Sequence, residues 1–266
     1  MIPRIRIQHC GSIPTPPEGL MSIVHSMFPR ISRARLLAAS VILGFLLLPG
    51  TLAAQDAPAD DRPGIAVIPL DNGGSYGPDQ QDVEALQVGL QQMLLTELDQ
   101  STDLRIVERQ RLREILDEQQ LTIDGRVDPS TAMQIGQLVQ ARYIVTGAFM
   151  DLWGDFRLDV RIFDGETSEV ITTARLNADR TDLYQLVFDM AGLIMEGVDL
   201  PPLSGEVREA RRSREISPEA ITLYSRAQVL EDVGQTDQAR ELYQRIVQDF
   251  PDMTEAGEAL EQLQGN

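Results

Sequence analysis

The 266-residue chain contains no lysine; its 23 basic residues are all arginine, set against 41 Asp and Glu for a formal charge of −18. The only histidines, His9 and His25, and the only cysteine, Cys10, stand close to the N-terminus. From Ser26 onward the chain therefore has no Lys, His or Cys. That excludes Ser-His-Asp and Cys-His nucleophile systems. It excludes zinc sites of the His/Cys type, and the lysine of a Schiff base or a phosphate-binding P-loop. Carboxylate chemistry, or a metal held by oxygen ligands alone, is what remains. The acidic balance argues against nucleic acid, whose phosphates call for a basic face. No cofactor is expected.

What the N-terminus does contain has the order of an export signal. Arg30, Arg33 and Arg35 precede an apolar run from Leu36 to Leu48, then Pro49, Gly50 and the small-residue stretch Thr51-Leu52-Ala53-Ala54. The run is shorter than the roughly 20 residues of a comfortable membrane span. The competing reading is an uncleaved anchor. Residues 1–26 are expected to be a non-native or disordered extension, with Met21 or Met27 as start, and 27–54 the signal peptide. No Cys adjoins the cleavage region, so the lipoprotein route is closed. Cleavage after Ala54 would remove five of the 23 Arg and one of the 41 acidic residues, leaving 18 Arg against 40 Asp and Glu, or −22.

Residues 55–62 read as a polar linker. Gly64 to Leu70 is a short continuous apolar run, the signature of a buried strand. The loop Asp71–Gly77 follows, and Asp79 can cap the next helix. Leu86, Leu90, Met93, Leu94 and Leu98, spaced by three and four, share one helix face. Leu104–Val107 is a second strand, and Leu112, Ile115 and Leu116 line a helix after it. Asp128-Pro129 opens another helix, and Tyr143–Phe149 is a third strand. Phe156, Leu158, Val160 and Ile162 alternate with Arg157, Asp159 and Arg161, a strand with one wet face. Asp164-Gly165 marks a hairpin turn back through Glu169–Leu176. A final helix carries Leu183 to Val198, and Pro201-Pro202 ends the unit. The order β-α-β-α-α-β-β-β-α predicts an α/β (α+β) domain over residues 63–200, a mixed sheet with flanking helices.

The segments GIAVIPL, LRIVERQRLREILDEQQL, AMQIGQLVQARYIVTGAF and RLDVRIFDGETSEVI, in that order over residues 64–198, resemble the curli production assembly/transport (CsgG) family. The most specific parts are Val107-Glu108-Arg109 with Leu112 and Glu118-Gln119, and Gly136 with Ala141-Arg142-Tyr143 and Thr146-Gly147. The resemblance implies the fold and an exported setting, periplasm or outer-membrane periphery, with an envelope protein or a second copy as partner. It does not imply a pore. The lipidated Cys of the family's secretion channels is missing, and the hairpin Phe156–Leu176 is short and lacks the aromatic girdles of a membrane barrel.

Residues 201–217 read as a linker bearing Arg208, Arg211, Arg212 and Arg214. That cluster is either a site for an anionic lipid or polymer, or a solvated helix paired with Glu206, Glu209 and Glu215. From Pro218 to 264 the positions Leu223, Ala227, Gly234, Ala239, Tyr243 and Pro251 fit a single tetratricopeptide-like repeat of ~34 residues, a helical hairpin followed by a capping helix. One repeat cannot bury its apolar face alone, so it must pack on the central domain, another subunit or a partner. In longer arrays the first helix lines the groove; here that nominates Ile221, Tyr224, Gln228, Glu231 and Asp232 as partner-binding residues, with plain core or surface as the alternative.

Three further candidates have ordinary readings beside the functional ones. Gly73–Gly77 follows a strand, where phosphates bind, but lacks a Lys and fits no dinucleotide fingerprint, so a turn is the default. Glu108 and Arg109 are a salt-bridge pair or an interface. Asp151 and Asp155 flank Trp153-Gly154 and could form the carboxylate pair of a glycan hydrolase, although acidic residues are common in turns. The chain thus reads as a non-enzymatic, protein-binding accessory or scaffold in envelope assembly, secretion or cell-wall synthesis. The alternatives are a subunit of an oligomeric secretion ring or a carboxylate-dependent cell-wall hydrolase.

Overall fold

A computed structural model describes residues 60–75, 80–119, 121 and 127–265. The leader expected at 27–54, the extension before it and the Asp79 cap lie outside the described residues. Short apolar runs and period-two stretches build the sheet: β1 (Gly64–Val67), β2 (Asp71–Asn72), β3 (Arg105–Ile106), β4 (Tyr143–Leu152), β5 (Asp155–Asp164) and β6 (Val170–Asp179). Their spatial order is β3-β1-β4-β5-β6, with β2 also on β4. β1 and β3 run parallel, as do β1 and β4, whereas β4, β5 and β6 form an antiparallel meander. The strand expected over Gly64–Leu70 is split. β1 pairs Ile65–Val67 with Tyr143–Val145, and β2 rejoins the same line at Ala148–Phe149. Pro69 lies in the gap, where its missing N–H cannot complete a ladder.

Helices cover the two sheet faces unequally. Alternate residues point to opposite faces, so Val145, Phe149, Phe156, Leu158, Val160 and Ile162 meet α1 (Gln80–Leu98) and α4 (Leu183–Gly197) in the larger core. Phe149 and Phe156 stack there at 5.6 Å. On the other face, α2 (Arg109–Glu118) and α3 (Pro129–Val139) cover Ala66, Ile68, Ile144 and Phe163. Among the described residues no helix covers the remainder of that second face. α3 starts as its sequence predicts: Pro129 is its first residue and the Asp128 carboxylate accepts from Ser130 N and Thr131 N at 2.8 and 3.1 Å. Hydrogen bonds from Ser130 and Thr131 hold the Asp128 carboxyl at about 2.

The stretch expected as a linker contains a helix, α5 (Gly205–Arg212), capped by Ser204. Beyond it α6 (Pro218–Asp232), α7 (Thr236–Asp249) and α8 (Thr254–Gly265) pack side by side. Their apolar residues, among them Ile221, Tyr224, Ala227, Tyr243 and Ile246, belong to the same continuous core as α1 and the sheet. Pro58–Asn266 accordingly form one compact unit. α6 lies along α1 at a close crossing, where a Cβ on Gly89 would sit 1.8 Å from Ser225 Oγ. Only glycine permits that approach.

Candidate interaction surface

The five residues of α6 nominated for a partner are occupied by this chain. Ile221, Tyr224 and Gln228 are buried, and Glu231 and Asp232 are half-buried. Arg109 of α2 reaches across to Asp232 and to Gln228 Oε1, each at 2.5 Å, and Arg113 adds a 3.0 Å contact to Asp232. Gln228 Nε2 donates to Tyr243 OH, which in turn donates to Glu231 Oε2 at 2.9 Å. The physical reason is that an unburied apolar helix face is costly, and α6 buries its face in the core it shares with α1. Arg109 is therefore an internal tie, while Glu108 is exposed and makes no side-chain cap bond.

The arginine cluster divides. Arg211 and Arg214 turn inward, with 17% and 13% of their side chains exposed, onto Glu97 and Glu255, which are 1% and 5% exposed. Arg214 Nη2 meets Glu255 Oε2 at 2.5 Å, and Tyr184 OH donates to Glu97 Oε1 at 3.1 Å. Burial pushes the Glu97 carboxyl above its ordinary value, with Arg211 and the Tyr184 hydrogen bond opposing the shift. Burial, with help from Glu97, lifts the Tyr184 hydroxyl to about 12, so it stays a donor. A solvated helix paired within itself is not what forms here: two of the four arginines are the clasp between α5, α1 and α8. Glu97 was missed in the sequence, yet it carried a signal. It stands three residues after Leu94, four after Met93 and seven after Leu90, a carboxylate on an apolar stripe. Arg212 stays exposed, paired with Asp189 at 2.8 Å and lying over Phe188.

The turn and carboxylate candidates resolve as scaffolding. Asn72 Oδ1 accepts from Gly74 N and Ser75 N, an Asx turn, and Ser75 Oγ accepts from Asp151 N at 3.0 Å. Residues 76–79 of that loop lie outside the described set. In the β4–β5 register Asp151 stands opposite Phe156, and Leu152 opposite Asp155. Residues directly opposite share a face and successive residues alternate, so Asp151 and Asp155 project to opposite sides of the hairpin. Asp151 is buried and receives Gly154 N at 2.9 Å, with Arg180 as its 2.9 Å ion pair; Asp155 is exposed. Two carboxylates so arranged cannot flank one glycosidic bond.

What remains open is the uncovered part of the second sheet face. Three cross-strand rows line it: Thr146–Arg161–Thr173, Ala148–Asp159–Arg175 and Met150–Arg157–Asn177. The first two rows and Arg157 of the third, with Val127, border a shallow cavity of about 510 Å³. Arg157 Nε and Arg175 Nε both donate to Asp159, whose burial opposes its charge but is outweighed by these two bonds, so its carboxyl sits below the usual value. Using Nε leaves the terminal amino groups of both guanidiniums for other acceptors. Arg161 makes no ion pair among the described residues. Three arginines against one carboxylate give a locally basic patch on an acidic molecule. The patch ends at β6, which among the described residues pairs on one side only. Its first residues, Val170 and Ile171, are 46% and 38% exposed. No Pro interrupts this ten-residue edge, whose charged residues are Arg175 and the terminal Asp179, and its backbone donors and acceptors are open to another strand.

Among the described residues no cluster of three or more His, Cys, Asp or Glu could hold a metal, and no helix is long and apolar enough to cross a membrane. No curated protein matches the chain. The LpoB C-terminal domain from Escherichia coli superposes with a TM-score of 0.36 and 16% identity, covering 44% of this chain and 82% of that one. Lipoprotein GNA1162 from Neisseria meningitidis gives 0.34 and 12%, over 51% and 94%. The PelC dodecamer from Paraburkholderia phytofirmans gives 0.31 and 14%, over 53% and 89%. The family model of the curli production assembly/transport component CsgG matches residues 51–152.

Proposed function

We propose that this chain is a non-enzymatic envelope protein that works by binding other proteins, and that the β6 edge with its row of arginines is the surface it uses. The observation that carries this reading is the combination of a ten-residue edge strand without Pro and a basic face on a molecule of net charge −18. An extended acidic segment suits it: the backbone pairs with β6, and carboxylates meet the guanidiniums of Arg157, Arg161 and Arg175. The curli assembly/transport match and the leader-like sequence at 27–54 support export to the periplasm or outer-membrane periphery. The tetratricopeptide-like segment, occupied by its own domain, acts here as a brace and not as a groove. The test is a photoreactive amino acid placed in intact cells at Ile171 or Thr173, with Gln244 on the far exposed side of α7 as control. A discrete adduct from the two β6 positions and none from position 244 is expected; adducts from all three, or from none, would sink the reading.

A second reading, a ring of identical subunits, draws on the same edge, since a second copy brings its own strands and a surplus of carboxylates. Light scattering of the mature protein separates the two. A mass that grows in whole subunits with concentration supports the ring, and a monomer mass at the highest concentration removes it.

A further inference from the structure

A half-open cavity of about 380 Å³ lies on the sheet face opposite the arginine rows, between β6, α4 and the segment that runs from Pro202 into α5. Its lining is mainly apolar, with Leu176, Phe188, Leu193, Met195 and Leu203 contributing, and Asp189, Arg208 and Arg212 also border it. The buried carboxylate of Glu97 also borders it. One oxygen of that carboxylate, Oε1, is engaged by Tyr184 OH and Arg211. The other, Oε2, is buried and has no hydrogen-bond partner among the described residues. A buried acceptor without a donor is costly, and native structures seldom leave one so.

A third observation comes from the helix beside it. Gly192 stands in the middle of α4 and lines the cavity, and a Cβ built there would meet nothing within 4 Å. Glycine inside a helix costs about 1 kcal/mol relative to alanine. At Gly89 such a cost is repaid by the contact with Ser225; at Gly192 no protein atom makes use of the space.

We infer that this cavity is a binding site for a small amphiphile, an apolar chain ending in a neutral hydroxyl, whose O–H donates to Glu97 Oε2. The apolar lining selects the chain. A hydroxyl suits the head better than an ammonium, because Arg211 and Arg214, 3.4 and 3.9 Å from Glu97 Oε1, already supply the positive charge. A carboxylate head placed at Glu97 would set like charges together, and of the two arginines at the cavity Arg212 is already paired with Asp189. A single water could satisfy Oε2 but would leave the apolar walls unfilled.

The experiment uses the mature chain with 13C-methyl-labelled methionine, titrated with 1-octanol and with 1-methoxyoctane, which keeps the chain but cannot donate. Octanol should shift the Met195 methyl saturably, and methoxyoctane should bind about tenfold or more weakly, as loss of a donor to a charged acceptor predicts. Gly192→Leu, which places a side chain in open space and favours the helix, should fold normally and lose the octanol shift. No saturable shift at Met195, or an unchanged affinity in Gly192→Leu, overturns the site. Equal affinities for the two probes overturn the role of Glu97 and leave only a greasy pocket.

Discussion

At the scale of single residues, charge placement in this molecule runs in two opposite directions. Asp159, Asp164 and Asp179 are held below their usual values by hydrogen bonds that outweigh any burial. Groups of that kind contribute stability above their unfolded pKa and lose it as pH falls through the folded one. Glu97 is the reverse. Burial raises its carboxyl above the ordinary 4.5, so its contribution is complete below that value and is lost as pH rises through the raised folded one. Arg211, Arg214 and Tyr184 soften the loss without cancelling it. Glu97→Gln deletes this term while keeping the shape and leaving Glu255 to neutralise the arginines. The stability of Glu97→Gln relative to the parent, from urea midpoints, should therefore improve as the pH rises above 4.5 and level off once the folded carboxyl has ionised. A difference that stays constant over that range would mean that Glu97 does not titrate there and that its burial is cheaper than its surroundings suggest.

At the scale of elements, most of the sheet and its helices were legible in the sequence because their signals are local. Alternation over Phe156–Ile162 gave β5, the stripe from Leu86 to Leu98 gave α1, and Asp128-Pro129 gave the start of α3. What stayed illegible depends on partners distant in sequence. Pro69 splits the first strand only because β4 runs alongside without a break. The arginines before Pro218 look solvated until α1 and α8 bring Glu97 and Glu255 to them. The five α6 residues named for a partner had the right kind of face, but sequence alone did not identify α1 as what covers it. Gly89 carries that information without advertising it. Gly89→Ala gains roughly 1 kcal/mol of helix propensity. It also drives a Cβ into Ser225, with the backbone Cα only 3.0 Å away, and overpacking of this kind costs about 1–3 kcal/mol. The single variant should be destabilised, and adding Ser225→Gly should recover part of the loss. A double-mutant cycle by urea denaturation measures the coupling; strictly additive effects would show that the crossing does not depend on this contact.

At the scale of the whole molecule, the sheet, its helices and the C-terminal helices share one core. Leu86, Leu90 and Leu94 of α1 belong to the same buried cluster as Ile221, Tyr224 and Ala227 of α6 and Val145 of β4. Burying each such Leu or Ile side chain contributes about 1.5–3 kcal/mol, so detaching the α6–α8 segment would forfeit several of these at once. It would also strand Arg109 and the Glu97–Arg214–Glu255 clasp without their partners, and buried charges left unpaired are among the costliest defects. The C-terminal helices should thus have no independent opening of their own. Native-state hydrogen exchange reads this directly, because amides in separately opening units report separate free energies. Amides of Leu223–Ala227 in α6 and of Ile144–Thr146 in β4 should exchange with the same limiting opening free energy and the same denaturant dependence. If α6 instead opened at a distinctly lower free energy, with a smaller dependence, the segment would be a domain resting on its neighbour, and the groove formed by Tyr224, Gln228 and Asp232 would become accessible to a partner after all.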